Sequence, residues 1–132
     1  MKSIRIIYCL LLACLFACSG KSSPSDIAVE STEAWVNGDT EEYFEYMSIT
    51  EEERKDLEAF MHLKGDDLIK KYKDRGGIEN IEVIREDMSK DEKNCRVTVE
   101  ITFKDGSREK ENVKLENIDD NWYVINPLGE KD

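Results

Sequence analysis

Between Cys95 and Phe103 the chain alternates without a slip: Cys95, Val97, Val99, Ile101 and Phe103 on one side, Arg96, Thr98, Glu100 and Thr102 on the other. A period of two sustained that long makes a strand with one face buried and one face wet. Such a strand belongs in an antiparallel sheet, because parallel sheets bury both faces. The apolar face needs a covering layer, and the residues before it must supply one.

The residues after Phe103 set the register of the next strand. A two-residue Asp105-Gly106 loop would oppose Val97 to Lys114 and Val99 to Asn112, placing polar groups on the buried face. A three-residue Lys104-Asp105-Gly106 loop puts glycine at the left-handed bulge position of a hairpin. It opposes Phe103 to Ser107, Val97 to Val113 and Cys95 to Leu115. On the wet face it sets Glu100 across from Lys110, a favourable cross-strand pair. A slip of one residue would turn every side chain over, so the three-residue loop is the consistent choice. An earlier strand carries Ile81 and Val83 between charged residues and ends in a polar turn from Ser89 to Asn94. A fourth, Trp122 to Asn126, follows Asp119-Asp120-Asn121, and Pro127 closes it.

Ahead of the strands the period is helical. Ser25-Asp26 is the expected cap of a first helix running to Asn37, with Ile27, Ala28, Ser31, Ala34 and Trp35 on one face. Asn37-Gly38-Asp39 ends it, and Thr40 is the expected cap of a short helix turning Tyr43, Phe44 and Met47 inward. Thr50-Glu51-Glu52-Glu53 has the form of a capping box. The helix it opens should bury Leu57, Phe60, Met61, Leu68, Ile69 and Tyr72, break near Gly65 and stop at Gly76-Gly77. Helices followed by strands imply an α+β fold, with N-terminal helices packed on one face of a curved four-stranded antiparallel sheet.

This layout is similar to a known group. A first helix with a Trp, the Asn37-Gly38-Asp39 turn, a short helix with Tyr43 and Phe44, Gly76-Gly77-Ile78 leading into the sheet, an Asp105-Gly106 hairpin and a closing Trp122-Tyr123-Val124-Ile125 strand resemble small bacterial lipoproteins. Those carry a domain of unknown function in the nuclear transport factor 2-like (cystatin-like) superfamily. The resemblance spans about Ile27 to Asn126 and implies a cone, in which helices wrap a bent sheet and leave a pocket between them. Isomerases, dehydratases, transport factors and binding domains share that cone, so it does not choose a function.

The start of the chain carries an address. Lys2 and Arg5 precede an apolar run from Ile6 to Phe16, which is shorter than the roughly 20 residues that a bilayer-spanning helix needs. A basic start and a short apolar middle read as a secretory signal peptide over residues 1–17. Leu15-Phe16-Ala17-Cys18 resembles a lipobox, which makes Cys18 the expected lipidation site and the membrane the expected partner. An overlapping Leu11-Leu12-Ala13-Cys14 would leave an apolar stub behind, whereas Cys18 is followed by the polar Ser19-Gly20-Lys21-Ser22-Ser23. Residues 18–25 are then a lipidated cysteine and tether, and residues 26–132 a single domain. Several acyl chains make a stable anchor where one does not. The seven tether residues reach at most about 23 Å. With no acidic run after Cys18, the expected place is the cell envelope, on the outer membrane facing the periplasm if the source has one.

Charge removes a class of partner. Two of the 19 Lys and Arg residues (Lys2 and Arg5) lie in the leader and all 30 Asp and Glu follow it, leaving −13 on the rest. Phosphate contacts need Lys and Arg, so no nucleic-acid partner is expected. Of four cysteines only Cys95 lies beyond the leader, so no internal disulfide can form, and its place on the apolar strand face reads as a small buried hydrophobe.

No catalytic constellation and no metal or cofactor site is expected. His62 is the single histidine, with Glu58 a turn away, and it reads as an exposed helical residue. Asp66-Asp67 and Asp119-Asp120 lack the alternating oxygen ligands of a calcium loop. The register does put Glu109 and Glu111 on the face of Val99, Ile101, Val113 and Leu115. Two carboxylates at the end of an apolar concave face can raise each other's pKa, whereas at an overhanging hairpin end both would stand in water. Glu109, Glu111, Tyr72, Trp35, Val99 and Val113 are therefore the candidate pocket. Three functional readings follow: a non-catalytic, membrane-tethered module binding a protein partner or a small apolar ligand; an isomerase or hydratase using Glu109, Glu111 or Tyr72; and an acidic inhibitor or immunity-type protein capturing a basic partner.

Overall fold

The computed structural model describes residues 22–127. The leader, Cys14, Cys18 and the first tether residues lie outside them, as do the last five residues of the chain.

Helix α1, Pro24–Asn37, starts two residues earlier than expected. Ser23 rather than Ser25 is the cap: its Oγ accepts the Asp26 N–H at 3.1 Å, and the Asp26 carboxylate accepts the Ser23 N–H in return. Pro24 sits at the first helical position, where a missing N–H costs nothing. Pro24 and Ser25 are therefore helical. Gly38 ends α1 at φ 79°, a left-handed geometry that glycine adopts without strain. Its N–H reaches back to the Ala34 and Trp35 carbonyls.

Helix α2, Thr40–Glu45, is capped by Asp39 rather than Thr40, since the Asp39 carboxylate accepts the Glu42 N–H at 3.1 Å. A carboxylate there also faces the positive end of the helix dipole. Helix α3, Glu51–Phe60, opens with the anticipated capping box of Thr50 and Glu53. No break follows at Gly65. The chain passes through a wider, π-type turn, Met61–Gly65, straight into helix α4, Asp66–Asp74. Leu57, Met61, Gly65 and Ile69 are buried, four apart each time, and Tyr72 follows three residues on. That spacing outruns a 3.6-residue turn, and the wider turn absorbs the excess. Gly65 is where the helix passes close to Trp35: a Cβ there would stand 3.6 Å from the indole. The same rephasing turns Phe60 outward, 39% exposed beneath the Lys64 ammonium, where the sequence pattern had placed it in the core.

The sheet is a meander of β1 (Ile78–Met88), β2 (Asn94–Phe103), β3 (Arg108–Ile118) and β4 (Asn121–Val124), antiparallel throughout and ordered as in sequence. The hairpin between β2 and β3 has the three-residue loop. Val97 opposes Val113, Cys95 opposes Leu115 and Glu100 opposes Lys110. Gly106 at φ 88° donates to the Phe103 carbonyl. β1 carries a bulge between Val83 and Arg85, which re-aims its second half. Val83 opposes Val99 as the alternation requires, yet it lies on the sheet's edge strand and is 37% exposed.

Helix α1 contacts all four strands and lies across the apolar face with α2, α3 and α4 beside it. Two clusters fill the interface. The larger holds Ala28, Phe44, Leu57, Met61, Val97, Val99 and Leu115; the smaller holds Val36, Tyr72, Ile101 and Phe103 at the hairpin end. Cys95 is a buried free thiol in the larger cluster, and burial is the main cause raising its pKa. That suits a packing residue and not a nucleophile.

Candidate functional site

The register of β3 sends Glu109, Glu111, Val113 and Leu115 to the helix-covered face in turn, and each meets a different environment. Leu115 is fully buried and Val113 partly so. Beside Val113 the helices and the sheet part to leave a cleft of about 230 Å³. Ser31, Thr32 and Trp35 of α1 and Tyr43 of α2 form one wall; Glu111, Val113, Val124, Ile125 and Pro127 form the other. Asn112 and Lys114 border it as well, although alternation gives them to the opposite sheet face. Trp35 and Tyr43 stand 5.5 Å apart, ring centre to ring centre, tilted by 46°.

Glu111 is only partly accessible, and among the described residues no cation is paired with it. Burial first, and then the charge of Glu109, raise its carboxyl above the ordinary carboxylate value. Tyr43 answers to the same surroundings. Desolvation, followed by the Glu111 charge, pushes its phenol up to about 12, so it stays neutral. Tyr72 is raised too, by burial and then by Glu109 and Glu111, with the Trp35 indole and Arg75 acting the other way.

Glu109, two residues toward the hairpin, is held instead. Arg75, just past the end of α4, donates from Nη1 to its carboxylate at 2.9 Å. The same guanidinium donates from Nε to Ser107 Oγ at 2.8 Å and lies 4.0 Å above the Phe103 ring. Tyr72 stacks on Phe103 at 5.6 Å. Ser107 passes the chain of hydrogen bonds on to Asp105, whose carboxyl is lowered by the Ser107 hydroxyl and N–H that it accepts. Backbone bonds from Lys104 N–H to Gly77 and from Asp105 N–H to Arg75 complete the seam.

Of the six candidate pocket residues, Trp35, Glu111 and Val113 line the cleft. Val99, at 0% exposure, is buried in the larger core cluster, whereas Tyr72, at 2%, and Glu109 belong to the hairpin end. Neither glutamate stands in open water. Tyr43 lines the cleft as well, and Arg75 ties the seam together. The pattern placed Tyr43 in the core, and Arg75 gave no local signal, because its partners lie more than 30 residues away. His62 is exposed, as expected. The carboxylate nearest it is Asp66, one turn on at 3.7 Å, whereas Glu58 takes up Arg54. Among the described residues no His, Cys, Asp and Glu cluster is arranged to hold a metal. A broader depression of about 530 Å³ near Met88, Cys95 and Leu115 is walled by strands and turns alone, without a helix.

The helix-covered four-stranded meander with its cleft is an α+β domain with an NTF2-like fold. Its fold is similar to that of a solved Campylobacter jejuni protein provisionally described as an NTF2-like transpeptidase, with a TM-score of 0.68 and 23% identity, over 78% of this chain and 97% of that one. At that identity the likeness concerns the fold alone. The chain belongs to the family described as Domain of unknown function (DUF4878), whose model matches residues 17–125. No curated protein matches it.

Proposed function

We propose that this protein is a membrane-anchored lipoprotein of the cell envelope whose domain binds a small, largely apolar ligand without transforming it. The cleft carries the binding part of this reading. Its walls are mostly aromatic and aliphatic, it is set between two rigid layers, and it joins a few polar groups to an apolar surface, as small-molecule sites do. The anchoring part rests on Leu15-Phe16-Ala17-Cys18 after a short apolar run. No helix among the described residues is long and apolar enough to cross a membrane.

Mass spectrometry of the N-terminal peptide from membranes tests the anchor. The expected product begins at Cys18 with a diacylglycerol thioether, and Cys18→Ser releases the protein from the membrane fraction. Finding an unmodified Cys18 on a protein that still sediments with membranes would sink the lipid anchor. Thermal stabilisation by a panel of small apolar compounds tests the cleft, and Val113→Trp should abolish any shift by filling it.

One observation favours a second reading, an isomerase or hydratase. Glu111 is a carboxylate of raised pKa beside the neutral Tyr43 phenol, which is the pairing of a base with a proton donor. Turnover of a carbonyl substrate that Glu111→Gln abolishes would establish it in place of pure binding.

A further inference from the structure

We infer that the cleft selects a ligand carrying an organic ammonium head on an apolar body, with the head against Glu111 and beside the wall formed by Trp35 and Tyr43; this rests on the reading of the cleft as a binding site. The argument is one of incomplete pairing. Along β3, Glu109 already has its cation in Arg75, whose guanidinium is further tied to Ser107 and stacked on Phe103. Glu111 lies on the same face and has none among the described residues, although it is partly buried and next to a second negative charge. A half-buried carboxylate without a counter-charge is an unfavourable arrangement that a cationic ligand relieves. Thr32 and Ser31, both buried, add hydroxyls to the lining, with that of Ser31 already donated to the Ala28 carbonyl, while the aromatic and aliphatic walls suit an uncharged body.

The two rings supply the second half of the recognition. Trp35 and Tyr43 stand side by side in one wall of the cleft, 5.5 Å apart and tilted by 46°, an angled pair of π systems lining the same cleft as the carboxylate. Rings so placed attract an ammonium through their quadrupoles, and more strongly once water is displaced. Tyr43 keeps its proton, with a pKa of about 12, so it offers its ring without adding a charge. The domain as a whole is strongly acidic and draws cations toward it. Lys114 also borders the cleft, from a position that strand alternation gives to the opposite sheet face.

The test uses three soluble probes with one body and different heads: 4-phenylbutylamine, 4-phenylbutanol and 4-phenylbutanoate. Each is titrated by calorimetry into the full chain in a non-ionic detergent at pH 7. The ammonium should bind at least about tenfold tighter than the alcohol, since hydrogen bonds to charged groups are the stronger kind, and the carboxylate should bind weakest. Glu111→Gln should erase the gap between ammonium and alcohol while leaving alcohol affinity within about twofold, because the apolar contacts remain. Arg54→Gln, at an exposed pair elsewhere, should leave the gap unchanged. Equal binding of ammonium and alcohol to the unaltered protein overturns the ammonium inference and leaves the cleft reading standing. Failure of all three probes to bind overturns both. A gap that survives Glu111→Gln places the selectivity outside the cleft and overturns the assignment of Glu111.

Discussion

Two stretches of one sheet face, two residues apart, have been finished in opposite ways. At the hairpin end Glu109, Arg75, Ser107 and Asp105 form a closed series of charge-assisted bonds over a stacked Phe103 and Tyr72. At the cleft Glu111, Trp35 and Tyr43 surround open space, and the carboxyl and phenol both shift upward. The hairpin end satisfies its own polar groups, which is what a structural seam requires. Among the described residues the cleft leaves an acid partly buried and unpaired, a cost that folding alone gives no reason to carry. Binding sites are where such local inconsistencies are expected.

The contrast can be broken most forcefully in the core. Phe103→Ala should cost about 3–5 kcal/mol, because Phe103 is wholly buried and its loss leaves a cavity under Arg75 and Tyr72. Val113→Ala in the cleft wall should cost only about 1 kcal/mol, since an open cleft has no cavity to create. Urea denaturation of both measures the difference, and comparable losses would mean that the cleft is packed like the core.

Arg75→Met comes next. It strips Glu109 of its ion pair and Ser107 of a donor, and should lower stability by about 1–2 kcal/mol, discounted because both charges are partly exposed. A loss within experimental error would show that the seam is ornamental.

Glu111→Gln should do the reverse, with a pH signature. A carboxyl whose folded-state pKa exceeds its unfolded value holds its proton longer in the folded protein. Stability therefore declines as pH climbs from the ordinary value through the raised one, and stays lower above it. The glutamine variant escapes that decline. It should be more stable than the parent at pH 7 and nearly equal to it at pH 3.5, compared by thermal melts. A parent as stable as the variant at pH 7 would mean that Glu111 is solvated.

Tyr43→Phe should change least, within about 0.5 kcal/mol, because it keeps the ring and removes only a hydroxyl. In an ultraviolet titration it should also delete the phenol titrating near pH 12.

Much of the architecture was legible in the chain. The alternation from Cys95 to Phe103 gave the strand, its buried face and its antiparallel neighbours, and Gly106 gave the hairpin loop and thereby the whole β2–β3 register. The capping box at Thr50 was legible because it lies within four residues. Errors occurred where two devices of similar strength lay close together, as with Ser23 against Ser25 and Asp39 against Thr40. Side-chain period could not foresee the π-type turn, since it depends on Gly65 letting the helix lie against Trp35, some thirty residues earlier. Phe60 faced outward for the same reason.

The candidate site divides along the same line. That Glu109 and Glu111 share a face with Val113 follows from the sequence by itself, because strand alternation and a hairpin loop are local and leave one register with an unmixed core. That one is clamped by Arg75 and the other faces a cleft beside Tyr43 was decided only by the tertiary structure. Where α4 ends against the hairpin, and how far α1 and α2 stand from β3, depends on how whole surfaces pack. No short stretch of sequence carries that information.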